Sequence, residues 1–195
     1  LTSKHVQTIA IQKPSVPARV MVLRALGSLS TIYLGSMRQE HREMSPNPNA
    51  PSHSIHPVGF RVYELGRLKE GDPVKIIELT AGQVRVGLSC LGARIVYVDT
   101  PDRRAQENTI NLRYPSAEDY GHDRLYLGAT VGRVANRISR GQCPLGAETL
   151  TLTKNEPHTG HHLHGGRLGL DSQHWTFKIL RCAGEPKRIG VVFHT

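Results

Sequence analysis

Aromatic side chains are scarce. They make up 5% of the 195 residues, with a single tryptophan. Hydrophobic residues reach 38%, enough for one core of modest size and hence one domain, with room for an appendage. Cysteine is scarcer still. Cys90, Cys143 and Cys182 are odd in number, widely spaced and never in a CxxC pair, which argues against a disulfide framework and a zinc knuckle. Three reduced thiols in a cytoplasmic protein is the reading this favours. No apolar run reaches transmembrane length, and the best, Val20 to Leu34, carries Arg24, so no membrane partner is expected. There is no GxGxxG, no GxxxxGK and no GxSxG. Dinucleotide cradles, phosphate loops and hydrolase nucleophile elbows therefore lack their sequence support.

Acidic residues are also few, and the net charge is +9. Such a balance raises nucleic acid as a partner, but its distribution does not support one. Residues 1–58 hold six Lys/Arg against two Glu, and residues 59–195 hold nineteen against fourteen. The excess is thus +4 and +5, with no dense basic block and no basic residues interleaved with aromatics. Charge spread in this way bears on solubility more than on a partner. Residues 1–58 stand apart in texture. They contain no Asp, carry only Glu40 and Glu43, and are punctuated by Pro14, Pro17, Pro46, Pro48, Pro51 and Pro57. They read as a leader without a fold of its own, with a targeting segment as the alternative.

From Gly59 onward the pattern turns to β. Val84, Val86 and Leu88 alternate with Arg85 and Gly87; Arg94 to Val98 is rich in β-branched residues; Leu150 and Leu152 alternate with threonines. Trp175, Phe177 and Ile179 alternate with Thr176 and Lys178, and Val191-Val192-Phe193 opens another run. Period-2 runs separated by Gly, Pro and Asp turns predict half-buried antiparallel strands. Short strands at this spacing predict an all-β sandwich or barrel.

The residues suited to chemistry gather between Gly128 and Trp175. Asn136 and Arg137 are followed by His158, His161, His162 and His164, with Gly165 and Gly166 directly after. An amide, a guanidinium fork and an imidazole are the donors and acceptors that a hydroxyl-covered ligand needs. The glycine pair lets backbone approach closely. Two other readings stand beside this one. On a strand, His162 and His164 would share a face and could clamp a metal as in a cupin-like metal-binding protein, although no carboxylate follows at the usual offset. His158 and His161 read as solvated loop residues.

The run Gly128-Ala129-Thr130-Val131-Gly132-Arg133-Val134-Ala135-Asn136-Arg137-Ile138 resembles a signature of the aldose 1-epimerase (galactose mutarotase) family. Leu163-His164-Gly165-Gly166, followed by Gly169-Leu170-Asp171 and Trp175, resembles a second, usually written with Phe where Leu170 stands. Asn108 to Leu112, with Glu118-Asp119-Tyr120 after it, resembles the segment before the first. The resemblance spans roughly residues 60–195, the front part of that family's domain. It implies a galactose mutarotase-like antiparallel β-sandwich, here cut partway, over residues 59–195. It implies an isomerase that interconverts the anomers of free hexoses such as galactose and glucose by ring opening and closure. Asn136, Arg137 and His164 would bind the sugar, and His164 would also assist at the reacting oxygens. No metal and no organic cofactor is implied. The family's general acid, a His, and its general base, a Glu, would lie beyond residue 195, so the chain alone would be an inactive fragment. A noncatalytic carbohydrate-binding module on the same scaffold is the rival reading. Neither the preferred hexose nor the oligomeric state is legible in the sequence.

Overall fold

The computed structural model describes residues 6–12, 21–24, 30–36, 58–182 and 188–195; for the first three segments and Cys182 it gives backbone alone. The strands in chain order are β1 Val6–Gln12, β2 Met21–Arg24, β3 Ser30–Ser36, β4 Gly59–Arg67, β5 Pro73–Ala81, β6 Val84–Ser89 and β7 Arg94–Pro101. They continue with β8 Glu107–Thr109, β9 Arg137–Ile138, β10 Gln142–Leu145, β11 Glu148–Thr151, β12 His162–Leu163, β13 Thr176–Cys182 and β14 Arg188–His194. One short helix, α1, covers Ala117–Gly121; Ser116 caps it by accepting from the Asp119 amide.

Two five-stranded sheets carry the fold. One runs β4-β5-β6-β7-β8, and the other β13-β14-β1-β3-β2. Their pairings are antiparallel, apart from β1 and β3, which run parallel. The parallel pair arises because β3 lies between β1 and β2. Three of these strands fall within residues 1–58, the segment whose sequence reads as a leader.

The core is shared between the sheets. Ile77, Leu79, Val86 and Leu88 of the first meet Ile189, Val191 and Phe193 of the second, with Trp175 completing the cluster. Large side chains at full burial exclude water from this layer and supply the main stabilisation. Each sheet thus turns an apolar face toward the shared core.

The structure departs from the sequence reading on the first sheet. Its central strands are buried on both faces rather than one. Val74, Ile76, Val96 and Tyr97 point away from the shared core into a second cluster with Ala117 and Tyr120 of α1. Gly87 is required there: a Cβ at that position would stand 2.2 Å from the Tyr97 ring. Beside it, buried Glu78 accepts from Arg61 and Tyr97, and Arg85 ties Asp99 to Glu107. The carboxylates and guanidinium groups of this outer face are paired with one another. Asn111 then closes the edge of β7, accepting from the Val98 amide at 2.7 Å and donating to the Val96 carbonyl at 3.0 Å.

Candidate functional site

The two motif-bearing loops meet in a two-residue ribbon. β9 and β12 pair antiparallel, with His162 opposite Ile138 and Leu163 opposite Arg137. At the end of the ribbon the backbones of Asn136 and His164 close a further link, the His164 amide donating to the Asn136 carbonyl at 3.1 Å. Gly165 makes the junction close. Its φ is +95°, and a Cβ there would lie 1.7 Å from the Gly132 carbonyl oxygen. Only glycine fits at such an approach. The structure therefore brings Asn136, Arg137 and His164 side by side from positions nearly thirty residues apart in sequence.

Both Asn136 and His164 sit in the left-handed region, with φ of 66° and 53°. Non-glycine residues adopt it rarely, and Asn and His are among those that tolerate it best. This turn of the backbone aims the Asn136 amide at the His164 ring, donating to Nδ1 at 2.9 Å. An amide N–H only donates, so Nδ1 is the acceptor and the neutral ring carries its proton on Nε2. His164 is thereby set to offer a donor to a ligand oxygen. Tyr126 packs against the ring edge to face, with centroids 4.5 Å apart. We expect a long-range proton–nitrogen correlation spectrum to show the Nε2–H pattern for the neutral His164 ring; the Nδ1–H pattern would contradict this geometry.

Arg137 is held by Glu156. Its Nε reaches both carboxylate oxygens, at 3.0 and 2.8 Å, and Nη2 donates to Oε1 as well. Glu156 also accepts from the Thr159 hydroxyl. The hydrogen bonds from Arg137 and Thr159 hold the Glu156 carboxyl down at about 2. A carboxylate with a lowered folded value stabilises above its ordinary value of 4.5 and loses that contribution as pH falls through the folded value. The pair is accordingly expected to stay closed at pH 4, with a Glu156 carboxyl carbon titrating near 2 by NMR. A midpoint near 4.5 would mean the pair is open in solution. Exposed pairs like this contribute little to stability; their effect is to fix where the guanidinium points.

His158 is exposed, as its sequence context suggests, but His161 and His162 depart from theirs. His161 is not simply solvated: its Nδ1 accepts from the Arg140 amide at 3.1 Å. His162 is buried, and its Nδ1 meets the Thr153 carbonyl at 2.8 Å. β12 ends at Leu163, so strand alternation does not carry His162 and His164 onto one face as a metal clamp would require. Among the described residues, no group of three His, Cys, Asp or Glu side chains is arranged to hold a metal ion.

A hollow of about 1140 Å³ opens beside the ribbon, lined among others by Gly132, Ile138, His162, Leu170, Lys178 and His194. Asn136, Arg137 and His164 do not line it. The pleat explains this for Arg137, which shares a face with Leu163 and not with Ile138 and His162; Asn136 and His164 lie beyond the two strands, in the left-handed region. The hollow has polar groups of its own, Arg133, Gln173, His174 and Lys178 among them; the candidate site is the separate cluster that the two motifs bring together.

Two contributors escape the sequence reading, and a third, Asp171, enters it only as part of a motif. Glu156 belongs to the same loop as the histidines, and a fixed arginine fork needs such an acid, which was the available signal. Tyr126 precedes the first motif by two residues and carries no signal of its own. Asp171 lies within the second motif. Its carboxyl is pushed up by burial first and by Asp123, against the pull of Arg94 and His164, and its Oδ1 has no hydrogen-bond partner.

A model of the aldose 1-epimerase family matches residues 75–185. A probable aldose 1-epimerase from Arthroderma benhamiae is 30% identical over 166 residues, covering 83% of this chain and 37% of that protein. Galactose mutarotase from Mus musculus is 34% identical over 111 residues, covering 56% of this chain and 32% of that protein. The crystal structure of galactose 1-epimerase from Lactobacillus acidophilus superposes with a TM-score of 0.54 at 28% identity, covering 65% of this chain and 36% of that one. The chain spans about a third of the length of these relatives.

Proposed function

Because the chain belongs to the aldose 1-epimerase family, we propose that this protein interconverts the α and β anomers of free hexoses such as galactose and glucose. The observation that supports this most is the convergence of the two signature loops on one ribbon, where Asn136, Arg137 and His164 stand together. Anomer exchange needs a base to take the proton from the C1 hydroxyl and an acid to protonate the ring oxygen. The ring opens, the aldehyde turns, and the hydroxyl re-adds to its other face.

The residues of this chain supply positioning and polarisation for that sequence. Arg137, oriented by Glu156, keeps Nη1 for sugar hydroxyls. His164 offers Nε2–H to an oxygen on which negative charge develops, and Asn136 adds an amide donor and acceptor. Glu156 is occupied by Arg137, which leaves it unsuited to taking a substrate proton. The chain alone is proposed to hold a hexose without turning it over, in the cytoplasm and without metal or organic cofactor.

Polarimetry on freshly dissolved α-galactose tests the enzyme reading in a full-length domain that contains this chain. Faster mutarotation, abolished or strongly reduced by Arg137→Ala, is the expected result. If galactose titration saturates while the rate stays at the uncatalysed value, the noncatalytic sugar-binding module replaces the enzyme.

A further inference from the structure

The turn between β6 and β7, residues 90–93, is where both signature loops dock. The Gly92 amide donates to the Gln173 carbonyl at 2.8 Å, and the Gly92 carbonyl accepts from Thr130 at 3.1 Å. The Ile95 amide donates to Gly128 at 2.9 Å, and the Trp175 amide to Cys90 at 2.8 Å. These are backbone links. From the first residue of β7, directly after this turn, the Arg94 side chain reaches both loops.

Arg94 is 2% exposed, and each of its guanidinium nitrogens donates at least one hydrogen bond. Nη1 donates to Asp123 at 2.6 Å and to the Leu127 carbonyl at 3.3 Å. Nη2 donates to the Asp171 carbonyl at 3.0 Å, and Nε to the Leu91 carbonyl at 3.1 Å. The guanidinium carbon lies 5.1 Å from the Tyr120 ring centroid. Asp123, 3% exposed, is satisfied in turn by the Tyr114 hydroxyl and the Leu125 amide. A buried charge at this cost needs a well-made partner set, and this set reaches the residue before Gly128 and a residue of the second motif together.

We propose that Arg94 is a positioning residue for the sugar site, acting on His164 through Tyr126 and the second loop. The inference rests on the sugar-site reading above. Holding the Leu127 carbonyl fixes the turn that places the neighbouring Tyr126 ring on His164. Holding the Asp171 carbonyl fixes the loop in which a Cβ on Gly169 would lie 2.4 Å from Asp171 Oδ1 and 2.9 Å from the His164 carbonyl. Only a planar fork can serve a carboxylate and three carbonyls at once; an ammonium cannot.

Two variants of the whole chain separate positioning from folding. Arg94→Lys keeps a charge for Asp123 and loses the fork. Arg94→Met combined with Asp123→Asn removes both charges and leaves no buried ion alone. Trp175 emission and a cooperative melt report the fold. The ring protons of His164, shifted by the Tyr126 ring current, report the site. In both variants we expect the fold readouts to persist, the His164 ring shifts to collapse toward those of a free imidazole, and galactose affinity to fall at least about tenfold. Unchanged His164 shifts in a folded variant would overturn the proposal. So would loss of the cooperative melt in both variants, which would make Arg94 a residue of the fold alone. If His164 moves as expected but the unsubstituted chain shows no saturation by galactose, Arg94 positions the ribbon and it is the sugar reading that fails.

Discussion

Replacing Gly165 by alanine is expected to dismantle the ribbon and abolish sugar binding. The new methyl carbon would stand 1.7 Å from the Gly132 carbonyl oxygen, where an unbonded carbon cannot go, at a φ of +95° that alanine rarely adopts. The obstacle is backbone, so no side chain can swing aside. Overpacking of this kind costs about 1–3 kcal/mol, and strained dihedrals add about 1–3 kcal/mol. A combined loss of about 2–6 kcal/mol corresponds to a fall in Tm of roughly 4–24 °C for a domain of this size. Calorimetry reads the first effect, and galactose titration the second. Alanine at Gly146 is the comparison. That glycine also has positive φ, at 63°, but a Cβ there meets nothing within 4 Å. It should retain the ribbon and the binding, with only the dihedral cost. Equal losses at the two positions would mean that the close approach of the two loops is not what Gly165 provides.

Arg137→Ala is expected to weaken galactose binding by roughly 10- to 150-fold. Hydrogen bonds from a charged donor contribute about 1.5–3 kcal/mol each, and about 1.4 kcal/mol is a factor of ten in affinity. Stability should move far less, because the partner pair is exposed, with side-chain accessibilities of 50% and 18%. Arg137→Lys should recover only part of the loss, since a point charge cannot present two parallel donors. Glu156→Gln keeps the guanidinium but frees it to reorient, so a smaller loss of about 3- to 10-fold is expected. Isothermal titration across the four proteins orders them. Finding Glu156→Gln as weak as Arg137→Ala would show that Glu156 itself contacts the sugar.

Much of the fold is visible in residue order, and the losses have physical causes. β6 and β13 announce themselves because polar residues or glycine separate apolar ones along them, β7 and β14 as short runs rich in β-branched residues. β5 does not. Val74, Ile76, Ile77 and Leu79 are all at zero exposure, and the Ile76-Ile77 doublet breaks the alternation because the first two serve one face and the last two the other. The tyrosine cluster and α1 that cover its outer face come from segments with no periodic pattern. The parallel pairing of β1 and β3 is likewise a property of topology, which strand composition does not encode.

At the site, the motifs located Asn136, Arg137 and His164, but not how they are held. His164 looked like one of a histidine group. Its role follows from an amide whose direction depends on the φ of Asn136, and local sequence does not dictate that angle. Glu156 could have been sought as the acid beside the arginine. Arg94 could not, because its partners Asp123, Leu127 and Asp171 are joined to it only by the folding of three separate loops.

The most direct measurement is a titration of the chain with galactose, followed through the backbone and side-chain signals of Asn136, Arg137 and His164. Saturable shifts are expected at these three residues and at Glu156 and Tyr126, with Ile138, Lys178 and His194 on the hollow's wall left in place. Shifts confined to the hollow, or no saturation at any of these groups, would contradict the assignment of the β9–β12 ribbon as a sugar site.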